Sequence, residues 1–120
     1  MVEKRMPLPN PQVQNLFQLA AAAPAEEVFE PLLQHPAARI ERIVSCGQTT
    51  PPGEWYDQNE DEWVVLLQGQ ATLAYEDGTT AELGPGDYVF LPAHCKHRVM
   101  ATSQQPPCIW LAVHLPPAVS

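Results

Sequence analysis

The chain has 120 residues and a mass of 13.3 kDa, the size of one domain that can bury its own core without disulfides or a structural metal, which excludes a two-domain organisation. With 14 prolines, 6 glycines and 45% hydrophobic residues, the composition favours short strands joined by turns over long helices. The formal net charge of -8 opposes contact with a phosphate backbone or an anionic bilayer, so neither nucleic acid nor membrane is expected as a partner.

The opening MVEKRMPLPNPQVQNLF lacks an apolar run of signal-peptide length, and no later stretch approaches a membrane span, so a soluble, cytoplasmic protein is expected. Cys46, Cys95 and Cys108 form an odd set without C-x-x-C spacing. They read as buried or partly buried thiols, not as a disulfide framework or a thiolate zinc site. Residues 1 to 12 read as a flexible or extended proline-rich arm. From Asn15 to Gln34, Pro24 and Pro31 confine any helix to a turn or two around Ala25 to Glu30. Residues 1 to 36 are therefore expected to form an arm and a short helical or extended covering segment, followed by a barrel over 37 to 116 and a tail over 117 to 120.

After Pro36 the pattern becomes strand-like, with five or six strands expected. ARIERIVSCG supplies one and GEWYDQ a short second. EWVVLLQGQATLAYEDGTTAEL holds two runs broken at Gln68-Gly69, with a hairpin turn at Asp77-Gly78. GPGDYVFLPAH, HRVMAT and CIWLAVHL follow. Such spacing without intervening helices indicates an all-β antiparallel sandwich or barrel. In the strand after Asp61, alternation places Glu62, Val64 and Leu66 on one face and Trp63, Val65 and Leu67 on the other. Both faces are apolar beyond the first pair, so one points into a barrel while the other needs cover from the N-terminal arm or a second copy of the chain. A homodimer is the expected assembly.

The most specific signal is GPGDYVFLPAHCKHRV at residues 84–99: a tight turn, an apolar strand, a proline-led turn, and a histidine that starts the next strand. Parity sets His97 with Val99 and Arg98 with Met100, and an unpaired arginine is the poorer inward group, so His97 is expected inside. This segment resembles the second motif of the cupin superfamily, with Gly86, Pro92 and His97 matching, His94 at the usual turn glycine, and Ala101 where an asparagine often closes the motif. Glu62 and Gly69 resemble the second half of the first cupin motif. The resemblance implies a small jelly-roll barrel, a double-stranded β-helix with its site inside.

Cupin metal sites commonly take two histidines ahead of the glutamate. Those positions are here Tyr56 and Gln58 in one spacing and Trp55 and Asp57 in the other. The resemblance thus implies a divalent ion (Zn, Mn, Fe or Ni) held by Glu62, His97, Gln58 and Asp57, with no organic cofactor. Tyr56, Val64 and Trp110 are expected to line a small pocket. Glu62 and His97 are the expected catalytic pair, acting on a small organic molecule either through that ion or, without metal, as an acid/base pair of the isomerase or epimerase type. A non-catalytic ligand-binding module is a third reading, since fold likeness does not choose a reaction. His94 reads as an exposed turn residue, and His35 and His114, near prolines in terminal segments, as structural or solvated.

Overall fold

Strands form where β-branched and aromatic residues alternate with polar ones, and turns where glycine and aspartate permit reversal. The computed structural model describes residues 11–116; most of the expected arm, residues 1–10, and the tail, 117–120, lie outside it. Among the described residues there are eight strands and no helix: β1 (Val28–His35), β2 (Ala38–Ser45), β3 (Asp61–Gln68), β4 (Ala71–Tyr75), β5 (Thr80–Leu83), β6 (Tyr88–Leu91), β7 (His97–Thr102) and β8 (Cys108–Leu115). They make a five-stranded sheet in the order β1-β2-β8-β3-β6 and a three-stranded sheet in the order β5-β4-β7. Every pairing is antiparallel. The two sheets enclose one core, centred on Leu66, Leu73, Leu83, Cys108 and Trp110.

Two turns set the registers. At Asp77-Gly78, Gly78 takes φ +90, which a residue with a Cβ adopts only with strain. The Asp77 carboxylate accepts bonds from the Thr79 N–H at 2.9 Å and hydroxyl at 2.6 Å. In the 84–87 turn, the Gly86 N–H donates to the Leu66 carbonyl at 2.7 Å and the Leu66 N–H to the Asp87 carbonyl at 2.9 Å. This clamps β6 beside β3 and aims the chain at the proline turn that delivers His97.

Of the helical and extended forms expected for the covering segment, the structure has the extended one: no helix forms around Ala25 to Glu30, and the chain there enters β1. Pro31 bars a helix, but on an edge strand its missing N–H leaves no ladder bond unmade, and the register shift between Pro31 and Leu33 absorbs its ring. GEWYDQ forms no strand of its own, only a bridge between Tyr56 and His97. The described residues hold eight strands where five or six were expected, β1 and the separate β5 among them.

The chain before β1 crosses the outer face of the large sheet and is held by Arg42. Its guanidinium donates to the carbonyls of Leu16 and Gln18, both at 3.1 Å, and pairs with Glu30 at 2.7 Å. Arg42 itself is 8% exposed. A cation this well buried is tolerated because its two terminal nitrogens donate to fixed oxygens, although its Nε–H has no partner.

Candidate functional site

Glu62 lies on the inner face of β3 with Val64 and Leu66 and is 7% exposed. Its register partners are Leu91 on β6 and His114 on β8. His97 opens β7 in the opposite sheet and is 6% exposed. Two backbone bonds, 2.8 and 3.2 Å, join it to Tyr56, and the two rings stack with centroids 5.4 Å apart. The Cys95 carbonyl lies 2.8 Å from Nδ1 of His97. A carbonyl only accepts, so Nδ1 carries the hydrogen and Nε2 is the nitrogen left for chemistry.

A cavity of about 80 Å³ separates the sheets at this end. Its apolar wall includes Ile43, Val64, Leu73, Leu91, Val99 and Trp110, and its polar wall is Glu27, Glu41, Tyr56, Gln58, Glu62, His97 and His114. Burial pushes the Glu27 carboxyl above its ordinary value. The Tyr56 phenol is raised first by burial and next by the negative charge of Glu27; a bond with Thr50 opposes this and Glu62 adds to it. Tyr56 is accordingly a neutral phenol near neutral pH.

The structure brings together Glu62, His97, Gln58, Tyr56, Val64 and Trp110 on one cavity wall. Asp57 is not among them. It is exposed and its carboxylate meets Nδ1 of His94 at 2.8 Å. In the extended stretch around Tyr56, alternation turns residue 57 away when 56 and 58 point in. His94 is an exposed turn residue with φ +65, the conformation a glycine would hold, and its N–H donates to the Gln58 carbonyl at 2.8 Å. His35 is exposed.

His114 departs from its sequence reading. It is 4% exposed, lines the cavity, and its Nε2 lies 2.7 Å from a Glu41 carboxylate oxygen. Its Nδ1 is buried without a partner, as is the amide oxygen of Gln58. The signal for His114 was parity along CIWLAVHL, which sets it on the same face as Trp110 and Ala112; nearness to Pro116 obscured it. Glu41 had no such signal, because both alternating sets of ARIERIVS contain charged residues. Glu27 and Phe29 reach the cavity only because residues 27–35 lead into and form β1.

The donor set does not fit a resident divalent ion. Among the described residues no group of three His, Cys, Asp or Glu side chains is placed so that it could hold a metal ion. Asp57 is turned to His94, and the phenol at the first histidine position is held neutral. One carboxylate, one imidazole and one amide oxygen fall short of the three strong ligands that catalytic metal sites use.

Residues 42–114 match the cupin domain family. A crystal structure from Ralstonia eutropha JMP134, of a protein provisionally named a mannose-6-phosphate isomerase, is 43% identical, with 88% of this chain and 99% of that chain covered and a TM-score of 0.83. An RmlC-like cupin protein from Desulfovibrio desulfuricans is 18% identical over 91% of this chain and 100% of that one, with a TM-score of 0.71. An RmlC-like cupin family protein from Methanocaldococcus jannaschii, described as a double-stranded β-helix, is 21% identical over 89% and 92%, with a TM-score of 0.67. The last two are likenesses of fold alone. No curated protein matches the chain.

Proposed function

The chain belongs to the cupin family, and on that premise we propose that it binds a small organic molecule in the barrel cavity and moves a proton on it, with Glu62 and His97 as the acid/base groups and no resident metal. The observation that supports this best is the state of the two groups. Glu62 and His97 face one cavity from opposite sheets, the ring is held at Nδ1 by a backbone carbonyl, and no bond ties the two to each other. Each is therefore free to act on a guest, and the bond at Nδ1 fixes the ring tautomer so that Nε2 is the nitrogen that exchanges a proton. Tyr56 and Trp110 give the apolar surface that excludes water around the transfer.

The provisional name of the Ralstonia relative agrees with isomerase chemistry in kind. Its sugar phosphate does not carry over, because no lysine or arginine lines this cavity and a dianion needs such partners. Ligand pockets for drug-sized molecules run to roughly 300 Å³ or more, so a cavity of about 80 Å³ suits a guest of few heavy atoms.

The test uses the full chain purified without chelator or affinity tag. Deuterium entry next to the carbonyl of dihydroxyacetone and of aminoacetone is followed by NMR in heavy water, with metal content by elemental analysis. Exchange should be catalysed by metal-free protein and fall roughly 100-fold or more in Glu62→Gln and in His97→Ala. Stoichiometric Zn, Mn, Fe or Ni in the wild type, lost in both variants, would replace this reading with a metal held by Glu62, His97 and Gln58.

We further place the protein in the cytoplasm as a homodimer. Among the described residues no helix is long and apolar enough to cross a membrane. The outer face of the large sheet carries a Trp63–Tyr88 ring pair, with Tyr88 67% and Phe90 52% exposed. Sedimentation should return twice the chain mass of 13.3 kDa, and Phe90→Glu should return the single mass.

A further inference from the structure

Several acceptors are left open on the cavity wall. Glu62 lines it in a buried position, and the buried amide oxygen of Gln58 has no hydrogen-bond partner. The carboxylate of Glu41 can only accept, so Nε2 of His114 carries the hydrogen that joins them, and Nδ1 is an acceptor whenever the ring holds that hydrogen alone. That Nδ1 has no partner although the His114 side chain is only 5% exposed. Nε2 of His97, whose other nitrogen is committed to Cys95, is a further acceptor when the ring is neutral. Buried acceptors without donors are costly, so such a wall favours a guest that supplies N–H or O–H groups.

Charge points the same way as hydrogen bonding. Glu27, Glu41 and Glu62 all line the cavity, and no lysine or arginine does. The nearest cations are spent elsewhere: Arg39 pairs with Glu60 at 3.0 Å and Arg98 donates to the Thr50 carbonyl at 3.2 Å. The negative field is felt by Tyr56, whose phenol is raised by the charges of Glu27 and Glu62 in addition to its burial.

From this wall we infer that the cavity takes a small organic cation rich in N–H donors, a primary ammonium or a guanidinium group on a short carbon frame. The inference rests on the proposed function, of which it names the substrate class. A cation entering between Glu62 and Glu41 meets a carboxylate on each of the two strands that flank β8, the Gln58 oxygen, and the ring nitrogens of His114 and His97. Charge-assisted bonds from a desolvated guanidinium are the strong kind, and its planar set of donors matches acceptors spread around a small wall. Urea, with the same shape and no charge, tests charge against shape. Inorganic phosphate tests the opposite sign.

The experiment is an NMR titration of the full chain with methylguanidinium, methylammonium, urea and inorganic phosphate, reading the Gln58 side-chain amide and the ring nitrogens of His97 and His114. Methylguanidinium should shift these signals saturably and bind at least about 10-fold more tightly than urea, and phosphate should leave them unmoved. Glu62→Gln and Glu41→Gln should each weaken methylguanidinium at least about 10-fold, whereas Glu54→Gln, on an exposed residue outside the cavity, should not. Urea binding as tightly as methylguanidinium, phosphate shifting the same signals, or a doubly protonated His114 at the pH of tightest binding would each overturn the inference. Failure here is separable from failure of the proton-transfer reading. Deuterium exchange into dihydroxyacetone with no cation selectivity sinks only this inference, and selective cation binding with no exchange into aminoacetone sinks only the chemistry.

Discussion

Along three neighbouring strands the inner face of the five-stranded sheet changes character from one end to the other. β3 runs from Glu62 to Leu66, β8 back from His114 to Cys108, and β2 from Glu41 to Ser45, and the paired registers keep the polar residues together at one end. At that end the sheets part around a cavity; at the other, Leu66 and Cys108 are 0% exposed. One pleat and one pattern of alternation serve both ends, so the difference lies in the side chains alone. Carboxylates and imidazoles buried around a cavity without full partners destabilise the fold. The hydrocarbon packed at the far end offsets them, and the polar end is free to be arranged for a guest.

The sharpest way to break this comparison is Leu66→Ala. Removing a fully buried side chain from the packed end should cost about 2–5 kcal/mol in denaturant unfolding; a loss below about 1 kcal/mol would mean that the packed end does not carry the fold. Gly69→Ala comes next. Gly69 has φ +95, and a Cβ there would sit 2.9 Å from the Cys108 Cα and 2.8 Å from the Ser103 Oγ. Left-handed strain and crowding against backbone should together cost about 2 kcal/mol or more, read as a lowered urea midpoint with an unchanged slope.

At the cavity end the sign should reverse. Glu62→Gln keeps the size and removes a buried charge, so stability should stay within about 1 kcal/mol of wild type or rise, while exchange activity is lost. Thermal melts of the same preparations used for the activity assay check both halves. The smallest effect is Glu27→Gln. Burial raises the Glu27 carboxyl in the folded state, so its neutral form favours folding below the unfolded value, and that contribution disappears as pH rises through the higher folded value. Glu27→Gln should therefore raise the melting midpoint slightly at pH 7, and change it least at pH 4 and below. An equal change at both pH values would show that Glu27 does not titrate against the fold.

Much of this arrangement was legible in single strands. Alternation in DEWVVLLQ places Glu62 with Val64, and the proline turn of GPGDYVFLPAHCKH delivers His97 to the start of a strand. The covering segment stays open between helix and extended chain in the sequence, because Pro31 stops a helix without revealing that an edge strand accepts it. His114 shares the parity of Trp110, yet its place beside the terminal prolines hid its part in the cavity. Glu41 did not, since charge on both faces of β2 leaves parity undecided.

Periodicity and turn residues in the sequence by themselves determined an all-β chain, the positions of most reversals, and the shared face of residues two apart, because these depend on dihedral preferences and neighbours close along the chain. Only the tertiary structure decided that Glu41 meets His114 across a separation of 73 residues, that Asp57 turns outward to His94, and that the Gln58 amide oxygen is buried without a partner. Such facts arise from pairing registers and the facing of two sheets, which long-range packing selects and no local pattern encodes.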